Sequence, residues 1–151
     1  ILVVCQSPGA SRPQKLASTK ITQDLLGWQR EGVWQRLLEF FLNELKQAGR
    51  LADGRLVVDS SLVPAKKGRL YRTNPCDRGK PGSKHHICTD EQGIPLAAAL
   101  SAANLAEGTT LPTLVESAEA VLPPPRRKRT LHADKAYDSQ SNRLFCRLHH
   151  L

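Results

Sequence analysis

The spacing of apolar and polar positions changes several times along the chain, and each change marks an element. Between about Thr22 and Ala48, Trp34, Leu37, Leu38, Phe41, Leu42 and Leu45 recur three and four positions apart, the spacing of one helical face. Gly27 and Gly32 predict a break between an earlier short helix and this one, and Gly49, after Lys46, predicts its stop. Asp53-Gly54 turns the chain into Leu56-Val57-Val58, an apolar, β-branched run expected to be a strand buried on both faces. It delivers a carboxylate, Asp59, at its predicted C-terminal end. Lys84 to Thr89 and Ile94 to Ser101 read as two further strands, joined through Asp90-Glu91-Gln92-Gly93 into a hairpin. Thr110 to Val121 reads as a helix, capped by Thr109 or Thr110, with Pro112 tolerated in its first turn and Pro123 to Pro125 ending it. Thr130 to Asp134 repeats the pattern of a strand that delivers an aspartate. Ser139 is the expected N-cap of a last helix through Asn142, Leu144, Phe145 and Leu148, with Asp138 sharing that task. Residues 1–20 show no period, and their Ser7 to Pro13 stretch is turn chemistry, so they are expected to be irregular or disordered.

Charge adds a partner to this outline. The 151 residues fit one domain, and a net charge of +8 with a pI near 9.7 favours a polyanion, nucleic acid before an anionic membrane. The cations concentrate between Pro64 and Lys84, where Lys66, Lys67, Arg69, Arg72, Arg78, Lys80 and Lys84 surround Gly68, Gly79 and Gly82. Glycines permit close backbone approach and the cations suit phosphate contact; a solvated loop is the alternative. Arg126 to Arg129 form a second basic run, equally compatible with a solvated loop and with a DNA-contacting face. The long helix carries Arg30, Arg36 and Lys46, and reads as an amphipathic helix covering a sheet rather than a DNA-facing one.

Cys5, Cys76, Cys88 and Cys146 are scattered, as reduced thiols of a cytoplasmic protein are. The opening Ile1 to Cys5 is too short for a signal sequence or a membrane span. His85, His86 and Cys88 do not make a zinc site, because adjacent strand residues point to opposite faces and His86 with Cys88 supplies only two ligands. The chain has no Met, begins at Ile1 and stops in His149-His150-Leu151, which reads as a fragment or as a frame altered at its ends.

Asp59 and Asp134 carry the candidate chemistry. If their strands are neighbours, two carboxylates at adjacent strand ends suit a hard divalent cation such as Mg²⁺; otherwise each caps a turn. The element order is helix, strand, loop, two strands, helix, strand, helix, which resembles the ribonuclease-H-like fold, whose first and fourth strands are neighbours. The expected fold class is therefore α/β. Its mixed sheet would have three antiparallel strands and then a parallel one, with flanking helices, incomplete at the C-terminus. The expected division is an irregular segment over 1–20, a helical region over 21–50 and a partial catalytic domain over 51–151.

Ordered motifs narrow this further. They are Val58-Asp59-Ser60-Ser61 with Ala65-Lys66-Lys67-Gly68, then Asn74-Pro75 with Asp77 to His86. Gly93 to Leu96, Ala102-Ala103-Asn104 and Ala133 to Ser139 follow. Together, from about Trp28 to Leu148, they resemble the DDE transposases of bacterial insertion sequences, specifically the family numbered five within the wider family-four-like superfamily. The resemblance implies two aspartates and a glutamate that bind two Mg²⁺ ions, with Asp59 and Asp134 at the aspartate positions. It implies nicking at the element's ends and attack of the freed 3′-hydroxyl on target DNA. Lys135 would neutralise charge beside the metals, and Lys66, Lys67, Arg78, Lys80, Lys84 and His85 would contact DNA. The implied partners are terminal-repeat and target DNA and a second copy or full-length transposase. The implied place is the bacterial cytoplasm, at the nucleoid and away from membrane. The family's glutamate lies downstream of the second aspartate, whereas here residues 135–151 hold a single carboxylate, Asp138. The expectation is therefore a fragment inactive alone; the alternative is a non-catalytic DNA-binding regulator or inhibitor.

Overall fold

The computed structural model describes residues 20–64, 82–125 and 127–151, with side chains at 21, 22 and 64 excepted. The irregular segment expected at the N-terminus and the candidate phosphate contacts Lys66, Lys67, Arg78 and Lys80 lie outside the described residues. Two helices come first, α1 (Lys20–Arg30) and α2 (Val33–Gln47), parted at Gly32, whose φ of 68° is the left-handed conformation glycine adopts without strain. Strands β1 (Arg55–Pro64), β2 (Gly82–Asp90) and β3 (Pro95–Ala102) follow, then α3 (Leu111–Val121), β4 (Thr130–Ala133) and α4 (Gln140–Leu148). Short 3₁₀ turns at Glu107–Thr110 and Lys135–Tyr137 precede α3 and α4.

The four strands form one mixed sheet in the order β3-β2-β1-β4. Strand β2 runs antiparallel to both β1 and β3, and β4 runs parallel to β1. Helix α3 carries the chain from β3 at one edge to β4 at the other, the long crossover that parallel strands require. Two expectations about β1 need correction. The strand does not end at Asp59 but continues to Pro64, because β2 goes on pairing with it as far as Pro64 opposite Gly82. Nor is it buried on both faces: Leu56 and Val58 are buried, while Val57 between them is only half-buried and Asp59 is exposed.

The core lies between the sheet and α3. Leu56, Val58, Cys88, Leu96, Ala97 and Ala99 meet Leu111, Leu114, Val115 and Ala118, and Leu42 of α2 joins from the side. Two groups pin the strand ends. Asp90 is 1% exposed; its Oδ1 accepts from Gln92 N (2.9 Å) and Ile94 N (2.8 Å), and its Oδ2 accepts from Ala52 N (3.1 Å). One carboxylate thus closes the β2–β3 turn and holds the entry to β1. Arg129, at the end of the basic run, is not a solvent cation. It is buried, donates to the carbonyls of Asp53 (3.1 Å) and Pro123 (2.5 Å), and lies 3.7 Å from Glu119.

Apolar surface remains uncovered among the described residues. Trp28, Phe40 and Phe41 on α1 and α2, and Leu144 and Leu148 on α4, are all exposed. Ser139 caps α4 as expected, its Oγ accepting from Asn142 N at 3.2 Å. Asp138 does not share that cap: both its oxygens accept from Arg143, each at 2.6 Å.

Replacing Asp90 by alanine leaves three part-buried amide donors unmatched and is expected to cost about 2–3 kcal/mol of folding free energy. Urea unfolding measures this; an unchanged midpoint would contradict the role given to Asp90.

Candidate active site

The parallel ladder between β1 and β4 is four pairs long: Arg55 with Thr130, Leu56 with Leu131, Val57 with His132, and Val58 with Ala133. Asp59 and Asp134 are the next residues on each strand. They therefore flank the point where β4 leaves the sheet and β1 continues alone. Asp59 Oδ1 accepts from the Ser60 amide at 2.7 Å, and Asp134 Oδ1 accepts from the Lys135 amide at 2.5 Å. Asp134 is thereby the N-cap of the Lys135–Tyr137 turn. Both aspartates are exposed. The alternative open from sequence, a turn cap, thus holds for Asp134 and not for Asp59, which lies within a strand; capping uses only one oxygen of Asp134.

Below the pair lies a buried polar cluster. His86 is 1% exposed, with Nε2 2.8 Å from Ser101 Oγ and Nδ1 2.9 Å from Tyr137 Oη. Thr110 Oγ1 lies 3.2 Å from the same Nδ1 and donates to the Glu107 carbonyl at 2.8 Å. Burial lowers the His86 pKa; the Glu107 carboxylate pulls it back up, while Lys84 and His85 depress it further. Burial pushes the Tyr137 phenol up to about 12 against a hydrogen bond from Ser60 that acts the other way, and Glu107, Asp59 and Asp134 raise it too. The phenol is neutral at ordinary pH and feels both candidate carboxylates.

The remaining candidates are placed differently. Lys84 is drawn into the fold, 3.3 Å from Glu107 and donating to the Leu105 carbonyl at 2.9 Å, so a phosphate would have to displace Glu107. His85 is exposed, its Nε2 3.3 Å from Ser83 Oγ. Lys135 is exposed immediately after Asp134. Sequence reasoning weighed His86 only as a zinc ligand and gave Tyr137 no role. Their visible signal is the placement of Tyr137 three residues after Asp134, the reach of one 3₁₀ turn.

Two exposed carboxylates suit an oxygen-preferring divalent cation in kind, since each has a second oxygen that accepts no hydrogen bond among the described residues. In number they are incomplete: the described residues contain no cluster of three or more His, Cys, Asp or Glu side chains placed to hold a metal. Of the further carboxylates, Asp138 is held by Arg143 and Glu107 is paired with Lys84.

The mixed sheet, three antiparallel strands with a fourth parallel to the first, and its helices are consistent with a ribonuclease-H-like fold. Residues 51–151 match the family described as the transposase DDE domain, and the chain belongs to that family. It is 45% identical over 74 residues to a protein of Burkholderia cepacia to which the transposase role for insertion sequence element IS402 is ascribed. That match covers 46% of this chain and 35% of the relative, so the chain spans about a third of that protein's length. No solved structure matches significantly. No helix among the described residues is long and apolar enough to cross a membrane.

The depressed His86 pKa has a signed consequence for stability. In the unfolded chain a histidine titrates near pH 6.5, and the folded chain takes that proton only at lower pH. The contribution of the neutral imidazole is complete above about pH 6.5 and is lost as the pH falls below it. The urea midpoint is expected to drop between pH 7.5 and 5.5, and to drop less in His86→Gln. An equal decline in both proteins would contradict this.

Proposed function

We propose that the chain forms part of the catalytic core of an insertion-sequence transposase of the family-five-like kind, with Asp59 and Asp134 as two of its three metal-holding carboxylates. The observation that carries the reading is the β1–β4 register, in which these aspartates follow the last pair, Val58 and Ala133. The family match over residues 51–151 supplies the reaction class. Mg²⁺ ions bound there would polarise the reacting phosphate and lower the pKa of the attacking hydroxyl. Asp59 and Asp134 orient that charge from a rigid strand and a capped turn. Lys135 and His85 are both exposed and would contact DNA phosphate, a role shared with the basic residues Lys66, Lys67, Arg78 and Lys80. The partners would be terminal-repeat and target DNA, with a second copy or full-length transposase, at the nucleoid in the bacterial cytoplasm.

A second reading is a DNA-binding regulator without catalysis of its own. It is favoured by the engagement of Asp138, the carboxylate that follows Asp134, with Arg143. Losing one member of a catalytic set commonly costs about 10⁴-fold or more in rate.

The purified chain is expected to leave DNA carrying insertion-sequence ends uncut in Mg²⁺. It should still bind those ends more tightly than unrelated duplexes of equal length at the same salt. Mg²⁺-dependent nicking abolished by Asp59→Ala would refute inactivity, and equal affinity for all sequences would remove the regulatory reading.

A further inference from the structure

The core face of the sheet changes character directly beneath the two aspartates. Along most of its length it is apolar, with Leu56, Val58, Cys88, Leu96 and Ala97 buried against α3. At the end where β4 departs it carries Ser60, His86 and Ser101 on three successive strands, Ser60 being the register partner of His86. Burying such a row is costly unless every member is satisfied, and here the members satisfy one another. His86 bridges Ser101 and Tyr137, and Ser60, its ladder partner, is close enough to the phenol to lower its pKa.

The two ends of this row touch the candidate site. Ser60 follows Asp59 on β1. Tyr137 closes the turn that Asp134 begins, its amide donating to the Asp134 carbonyl at 2.9 Å. Asn142 holds the same turn from the far side: its Nδ2 donates to the carbonyls of Tyr137 (2.8 Å) and Gly108 (2.9 Å). A single buried phenol, 2% exposed, is therefore bonded to His86, the β2 partner of Ser60 on β1, and is part of the turn after β4. The parallel ladder stops at Ala133, so it does not itself fix where Asp134 sits relative to Asp59.

We propose that Tyr137, seated on His86 and Ser60, is a positioning residue that fixes the separation of the Asp59 and Asp134 carboxylates. The row Ser60–His86–Ser101 is its frame. The proposal goes beyond the reading of the pair as a metal site and rests on that reading only in its metal-bound measurement.

The test compares the chain with Tyr137→Phe, which keeps the ring and removes the hydroxyl, and with Ser60→Ala and Ser60→Thr. In the metal-free chain the amide resonances of Ser60 and Lys135 report the carboxylates to which they donate. They are expected to shift and broaden in Tyr137→Phe and Ser60→Ala and to return toward wild type in Ser60→Thr, while those of Leu114 and Val115 on α3 stay in place. Unchanged Ser60 and Lys135 signals in Tyr137→Phe, or changes spread equally over α3, overturn the proposal. Mn²⁺ affinity measured by calorimetry is expected to fall about tenfold in Tyr137→Phe, the usual effect of losing a group that orients a ligand. An affinity unchanged in Tyr137→Phe, with wild-type binding lost in Asp59→Asn, also overturns it. Should wild type and Asp59→Asn take up Mn²⁺ alike, the metal reading fails, and the metal-free signals decide the positioning role on their own.

Discussion

The candidate site rests on four parallel register pairs between β1 and β4. The two strands belong to distant parts of the chain and share a short edge. That edge is parallel, so no tight turn can make it; it requires the crossover through β2, β3 and α3. The core exists to hold that crossover down. Leu111, Leu114, Val115 and Ala118 bury α3 on the sheet, and the small Ala97 and Ala99 let it lie close. Asp90 and Arg129 then fix the loops that lead into β1 and β4, through bonds to Ala52 and to the Asp53 carbonyl.

The same constraint explains why the site is exposed while its support is buried. Strand β4 gives up the sheet after Ala133, and β1 goes on paired to β2 alone, which opens a step in the sheet at Asp59. The carboxylates at this step are exposed to solvent. Beneath it the fold places a connected polar row instead of aliphatic packing. A row of hydroxyls and an imidazole has fewer ways to pack than methyl groups do, so it specifies position at some cost in burial energy. In the proposed reading, position matters most there, beside a pair of like charges that shares a cation.

Much of this was legible in the chain. The three- and four-residue spacing from Trp34 to Leu45 foretold α2, and the Asp90–Gly93 turn foretold the hairpin. The order of elements, together with the family resemblance, foretold that β1 and β4 would be neighbours, with Asp59 and Asp134 just beyond their last pair. What stayed hidden were pairings between distant residues. The length of β1 is set by how far β2 accompanies it, which no local pattern reports. Asp138 looked like a cap because its partner Arg143 lies across the first turn of α4. Lys84 and Arg129 looked like surface cations because the carboxylate and carbonyls that engage them come from other elements. His86 showed no role beyond a zinc site that its spacing ruled out, because its partners Ser101 and Tyr137 are 15 and 51 positions away.

The central claim is that Asp59 and Asp134 stand side by side as one cation site. Iron-directed cleavage of the polypeptide tests it most directly. Fe²⁺ is added to the chain with ascorbate and peroxide, and the fragments are mapped. The account predicts backbone cuts clustered near residues 59 and 134, suppressed together by excess Mg²⁺ and lost together in Asp59→Asn. Cuts confined to one of the two positions, or cuts that survive in Asp59→Asn, would contradict it.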